Sequence, residues 1–382
     1  MLAQAFAPCH LPPEAEALRG EVRDFLATAL VQQPPASRAY SWMGFDAGFT
    51  RALGRRGWIG MTWPREYGGG GQSAFARYVL VEELLAAGAP VLAHWTADRQ
   101  SGPLILNFGT EAQKQRFLPP ICRGESYFCI GMSEPDAGSD LSAVRTRATP
   151  VEGGWRVDGA KLWTTNAHRC HYMIALVRSE AGSQRHNGLS QFVIDLHAPG
   201  VTVRPIRDLA GDAHFNEVVF DGVFVPSADV VGEPGNGWKQ VMSELAFERS
   251  GPERYLSSIA LLDELIALAR RGAPDARLDQ AIGRMVAQVT VLRQMSLSIA
   301  GQLERHQNPA VEAACVKELG TGLEQALPEV AHALSELQPT LAASGDFERV
   351  LAYVTQVAPS FSLRGGTREI LRGIIARSLG LR

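Results

Sequence analysis

Cysteine is scarce and unpatterned in this chain. Five of 382 residues are cysteine (Cys9, Cys122, Cys129, Cys170 and Cys315), and none forms a CxxC pair. The odd count and the spacing argue against a disulfide framework, so a reducing cytoplasm is the expected compartment and no metal site is expected. Charge of one sign is also missing. The 37 basic residues face 40 acidic ones with no basic block, which sets aside nucleic acid and an anionic membrane as main partners. No run approaches the roughly 18 apolar residues needed to span a bilayer. The mildly apolar N-terminus lacks the basic region and apolar core of a signal peptide, and no repeat or low-complexity tract is evident.

What remains is a globular composition, 46% hydrophobic and 20% charged, long enough for two or three domains or one composite unit. Leu18, Val22, Phe25, Leu26 and Leu30 recur at helical spacing over 13–31. Further helices are predicted around 43–56, over 74–89, and over 99–118 up to Pro119-Pro120. The run Gly68-Gly69-Gly70-Gly71 lacks the Lys-Ser/Thr of a phosphate loop and reads better as a turn between helices. From 123 to about 235, short β-rich runs (127–132, 154–158, 172–178, 190–195, 201–204, 216–225) alternate with turn residues, as in a sandwich or barrel. From Gly237 onward the pattern is helical, broken at 271–274 and ending with an amphipathic helix over 367–379. Pro252 should kink a continuous helix at residue 248, because its ring meets that carbonyl; the other option is a helix that starts late at Pro252.

Chemistry concentrates between Tyr127 and Asn166. An apolar strand stops at Ser133-Glu134-Pro135, and Asp136-Ala137-Gly138-Ser139-Asp140 follows as a nest of small turn formers that could hold a phosphate or a polar cofactor edge. Trp155-Arg156-Val157 and Lys161-Leu162-Trp163 then read as a hairpin joined by Asp158-Gly159. This places Trp163, Thr164, Thr165 and Asn166 side by side. Two readings stay open on these residues alone: a plain hairpin with a buried tryptophan, or a ring face with hydroxyls offered to something planar.

The pairing of Ser133-Glu134-Pro135-(Asp136)-Ala137-Gly138-Ser139-Asp140 with Lys161-(Leu162)-Trp163-(Thr164)-Thr165-Asn166 resembles the flavin signature of the acyl-CoA dehydrogenase family. Trp63-Pro64-(Arg65)-Glu66-Tyr67-Gly68-Gly69 is similar to a segment of that family's N-terminal domain. The resemblance spans nearly the whole chain and implies an α+β architecture. Its parts are a helical domain (1–122), a β-sandwich or barrel domain (123–235) and a C-terminal four-helix bundle (236–382). It also implies FAD, an acyl-CoA substrate in fatty acid or lipid metabolism, α,β-desaturation, and delivery of electrons to an electron-transferring flavoprotein.

For the cofactor, the resemblance assigns Met132, Ser133, Trp163 and Thr165, with Thr367 and Glu369 at its other end; Ser139 falls at a substrate or CoA position. Plain core packing is the alternative for Met132, and capping of the last helix is the alternative for Glu369. Many family members carry a catalytic glutamate in a Y-E-G-T pattern, where this chain has Arg364-Gly365-Gly366-Thr367. A subset, including isovaleryl-CoA dehydrogenase, places the base on the first long helix after the β domain, directly before an arginine. Phe247-Glu248-Arg249 matches that pattern, so Glu248 is the expected base and Arg249 a substrate contact; a solvated charge pair is the alternative.

The family's R-x-x-F-G and Q-x-x-G-G-x-G segments, which grip the pyrophosphate and adenine, have no match. That absence, with the Gly-Gly-Thr stretch, is similar to one chain of the α2β2 enzymes acting on steroid side-chain thioesters. Two assemblies are therefore open: a homo-oligomer with Arg270, Arg271 or Arg277 on the pyrophosphate, or a hetero-tetramer with a homologous subunit. A non-catalytic subunit, or a flavin oxidase or monooxygenase on the same fold, are the rival functions.

Overall fold

The structure is a computed structural model that describes residues 6–248, 251–335 and 345–381, with backbone alone over 244–248. It divides into two compact units. One draws on residues 1–45, 72–91 and 246–382, the other on 46–71 and 92–245.

The helical unit is organised around Ala74–Ala86, which Ser73 caps by accepting from the Ala76 amide. Tyr78 through Leu85 are all buried, the mark of a helix packed on every side. Two of those buried residues are carboxylates, and a buried charge needs partners. Arg19, on helix Pro13–Ala29, bonds both Glu82 and Glu83. Arg293, on helix Ala276–Glu304, bonds Glu82 at 2.7 and 3.1 Å. Tyr78 adds a hydroxyl contact of 3.0 Å to Tyr255. The C-terminal bundle comprises Ile259–Arg271, Ala276–Glu304, Ala310–Ser335 and Asp346–Val357, with Arg368–Ser378 after it. The expected break at 271–274 is present, and Asp275 restarts the chain by accepting from the Arg277 amide.

A kinked continuous helix at Pro252 is not what forms. The helix Gly237–Glu248 ends at Glu248, and Pro252 opens a 3-10 turn, Pro252–Arg254. A first-turn proline has a fixed φ suited to that place and loses no donor there. The single helix expected over 99–118 is likewise two, Gly102–Phe108 and Glu111–Cys122. Thr110 restarts the second through a capping box with Gln113. Pro119 and Pro120 ride inside its last turn, where burial of Phe117, Leu118 and Ile121 offsets the lost hydrogen bonds.

In the second unit, seven strands form one sheet: β1 (Phe128–Gly131), β2 (Arg147–Val151), β3 (Gly154–Lys161), β4 (Tyr172–Arg178), β5 (Leu189–Asp195), β6 (Val201–Ile206) and β7 (Phe215–Pro226). The order is β1-β4-β2-β3-β7-β6, with β5 beside β4 and β1 parallel to β4. The hairpin expected at Asp158-Gly159 lies elsewhere. Val151 pairs with Gly154, so β2 and β3 turn at Glu152-Gly153, and Asp158-Gly159 is a bulge within β3. Gly159 takes φ +144°, and a Cβ there would meet Thr146 Oγ1 at 2.6 Å; the Asp158 carboxylate accepts from the Gly222 amide at 2.9 Å. A strand that bends this way keeps its pairing with β7 on both sides. The glycine run after Trp63 is a turn, as expected: Gly68 has φ +86°, and a Cβ on Gly69 would lie 2.3 Å from the Trp63 carbonyl oxygen.

Glu82→Ala is expected to lower the unfolding free energy by about 3 kcal/mol in urea titration, because it takes from Arg293 its carboxylate partner and leaves Arg19 with Glu83 and Glu16 alone. A loss under about 1 kcal/mol, the scale of a surface pair, would contradict that burial-driven role.

Candidate functional site: a ledge past the end of β3

Past the end of β1, the chain makes a tight loop in which Glu134 and Ala137 exchange backbone hydrogen bonds of 2.9 and 3.1 Å. The Glu134 carboxylate then accepts from the Arg145 amide (2.7 Å), the Thr146 amide (3.0 Å) and Lys161 Nζ (2.7 Å). Lys161 is fully buried at the end of β3. Its ammonium has three donors and spends them on Glu134, the Met132 carbonyl (3.1 Å) and the Leu176 carbonyl (2.5 Å). Burial pulls the Lys161 ammonium down to about 8 against the pull of Glu134. Burial works to raise the Glu134 carboxyl, but the Lys161 charge and the three donors outweigh it and hold the group below its ordinary value. The pair thus ties the Ser133–Asp140 loop to the strand that delivers Trp163.

Beyond Lys161 the backbone leaves the sheet as a ledge. The Leu162 amide bonds the Ser133 carbonyl (2.9 Å), the Thr164 amide the Asn216 carbonyl (3.0 Å) and the Asn166 amide the His214 carbonyl (2.6 Å). Between these anchors Trp163 and Asn166 take left-handed conformations, φ +61° and +64°. Asparagine tolerates this region; for tryptophan it costs on the order of 1–3 kcal/mol and persists only where neighbours enforce it. The result is an indole ring 55% exposed, buttressed edge-on by Phe215 with centroids 6.0 Å apart. Thr164 faces inward and is buried, whereas Thr165 is half-buried beside the ring. A constrained, uncovered aromatic face of this kind offers a surface to a planar heteroaromatic group. The reading of Trp163 as a buried core residue is therefore corrected.

Trp163 and Thr165 lie on this ledge, and the Ser133 backbone carbonyl anchors it through the Leu162 amide. Ser139 is exposed on the adjoining loop. Met132 packs against the buried cluster of Ala137, Val144, Leu176, Leu189 and Val241. In the helical unit, Thr367 stands at the N-cap position of the last helix without a side-chain cap bond, and Glu369 is exposed in its first turn; the Glu369 backbone amide and the Thr367 hydroxyl hold that carboxyl below its usual range. Glu248 closes the helix Gly237–Glu248, and its side chain, like all of Arg249, lies outside the described residues. Arg270, Arg271 and Arg277 are exposed. At the Gly-Gly-Thr stretch, Gly365 and Gly366 take φ +66° and +93°. Next to them Arg364 lies against the rings of Trp42 and Phe361 and bonds Glu324 at 2.9 Å; burial brings its guanidinium down to about 10 despite Glu324. Sequence reasoning missed His214, Phe215 and Asn216. No local signal set Asn216 apart, because the same strand also carries Glu217 and Asp221.

In chain order, helices, then a seven-stranded sheet with an aromatic ledge past the end of β3, then helices again make up an architecture of the acyl-CoA dehydrogenase type. The corresponding family models match in turn: the acyl-CoA dehydrogenase N-terminal domain over residues 12–125, the middle domain over 129–223 and the C-terminal domain over 235–380. The chain belongs to the acyl-CoA dehydrogenase family. Acyl-CoA dehydrogenase IpdE1 of Mycobacterium tuberculosis is 34% identical over 96% of this chain and 98% of its own length. Acyl-CoA dehydrogenase FadE34 of the same organism is 32% identical over 86% of this chain, which spans only 45% of that relative. Among solved structures, the Tcur3481-Tcur3483 steroid ACAD superposes with a TM-score of 0.86 at 26% identity, covering 98% of this chain and 99% of that one. The ChsE4-ChsE5 complex from Mycobacterium tuberculosis gives 0.83 at 28% identity, covering 98% and 100%. No helix among the described residues is long and apolar enough to cross a membrane.

Lys161→Met is expected to cost about 3–5 kcal/mol of unfolding free energy, the scale for stranding one member of a buried pair. The pair also gives a pH dependence. Glu134 has a folded pKa below its unfolded one, so its contribution is complete above the unfolded value of about 4.5 and drains away as pH falls through the depressed value. Wild type should therefore lose stability in acid more steeply than Glu134→Gln; parallel pH profiles would contradict the assignment.

Proposed function

We propose that this chain is an FAD-dependent acyl-CoA dehydrogenase in which Glu248 removes the α-proton of the thioester. The observation that supports this reading best is the enforced exposure of Trp163 on its ledge. Ser133, Trp163 and Thr165 would hold the isoalloxazine ring, with Thr367 and Glu369 toward the cofactor's other end. When bound, FAD supplies the two-electron acceptor that no side chain can provide. On this reading residues 1–122, 123–235 and 236–382 act as helical, β and helical domains.

The assignment of Glu248 rests on position. It lies on the first long helix after the sheet, Gly237–Glu248. The glycine at 365 leaves no carboxylate at the alternative place. Ser139, on its exposed loop, and Arg249 are proposed to bind the acyl-CoA. Electrons would pass on to an electron-transferring flavoprotein. The steroid enzyme among the structural relatives makes a polycyclic acyl-CoA the first thioester to try, and the ChsE4-ChsE5 complex supports pairing with a homologous subunit.

Glu248→Gln is expected to keep FAD and bind acyl-CoA, yet to lose the rate of flavin reduction in anaerobic stopped-flow by about a hundredfold or more. Reduction within about threefold of wild type would remove Glu248 from the mechanism.

A further inference from the structure

Asn216 is a fully buried carboxamide that touches both sides of the ledge. It sits on β7, 0% exposed. Its Nδ2 donates to the Thr164 carbonyl at 2.9 Å and to the His214 carbonyl at 3.2 Å. Its own backbone carbonyl accepts from the Thr164 amide, while the His214 carbonyl also accepts from the Asn166 amide. The two residues flanking this grip, Trp163 and Asn166, are those with left-handed backbones. The residue before it, Phe215, is the edge-on support of the Trp163 ring.

Only an NH2 group can face two carbonyl oxygens, so the orientation of the amide is fixed by its surroundings. Its Oδ1 must then be the atom 2.9 Å from His168 Nδ1. A carbonyl oxygen can only accept, so the proton lies on Nδ1 and the Nε2 lone pair is left open. Burial lowers the His168 pKa despite the bond to Asn216, which agrees with a neutral ring.

We propose that Asn216 is a positioning residue for the flavin: its carboxamide, oriented by His168, holds Trp163 in the strained conformation that presents the indole to the isoalloxazine ring. The proposal rests on the reading of the ledge as the flavin site. A chain that lost this grip would still fold its sheet, because the pairing of β7 with β3 and β6 does not use the side chain. What it would lose is the orientation of Trp163 and the hydrogen bonds of the ledge backbone.

Asn216→Asp tests this with almost no change in shape, replacing a double donor by an oxygen that confronts two carbonyls. The full-length protein, reconstituted with FAD and in complex with any subunit that co-purifies, is compared with wild type by FAD titration and by the visible spectrum of the bound flavin. The expected result is an FAD dissociation constant raised about tenfold or more and a bound-flavin spectrum shifted toward that of free FAD. Unchanged affinity and spectrum would overturn the proposal while leaving the flavin reading intact; a wild-type protein that takes up no FAD would overturn that reading instead. Should the aspartate variant not fold, 15N-histidine NMR of the wild type decides the point, with the His168 signal assigned from His168→Gln. A neutral ring protonated on Nδ1 is expected, and a proton on Nε2 would overturn the proposal.

Discussion

An ammonium cut off from water must find an acceptor for each of its donors, and Lys161 finds all three in the segments that make up the site. One is the Glu134 side chain, one the carbonyl of Met132 at the head of the loop, and one the Leu176 carbonyl on β4. Glu134 in turn collects the amides of Arg145 and Thr146, so the far end of the loop is fixed by the same carboxylate. A buried ion pair of this kind is a poor source of net stability, since desolvation consumes most of the attraction. Its consequence is geometric. The Ser133–Asp140 loop and the Trp163 ledge, some thirty residues apart in sequence, are held in register by two side chains whose separation would leave a charge buried alone.

The ledge extends that constraint outward. Lys161 ends β3, and the following residues can no longer pair regularly because Trp163 and Asn166 adopt left-handed conformations. Three backbone anchors on Ser133, Asn216 and His214 replace the lost sheet bonds. Strain at an exposed aromatic residue is tolerated only when its surroundings over-determine it, and here they do so from both β1 and β7. A ring fixed in this way loses little entropy when a flat ligand covers it. Rigidity is thus arranged before the ligand arrives.

Much of this was legible in the sequence and some was not, for physical reasons. The succession of helical, β and helical segments follows from a change of hydrophobic period, which local patterning reveals. The two halves of the ledge were visible as Ser133-Glu134-Pro135 and Lys161 through Asn166. Their mutual lock was not, because a buried lysine and glutamate look like ordinary surface charges until the fold removes water from both. Asp158-Gly159 misled because the same dipeptide suits a hairpin or a bulge, and only pairing with β7 selects between them. The sequence leaves Trp163 open between a buried and a presented ring because no local rule exposes an indole; its exposure follows from a backbone conformation enforced from another strand. Asn216 went unnoticed because a polar residue in a strand carries meaning only once its neighbours across the sheet are known.

The most direct measurement is anaerobic mixing of the purified yellow protein with a panel of acyl-CoA thioesters, short-chain, long-chain and polycyclic, while following the visible flavin absorption. Bleaching by one class within the turnover time, and none by the free acids, is the expected result. A protein that binds flavin at the Trp163 ledge yet is bleached by no thioester in the panel would contradict the account.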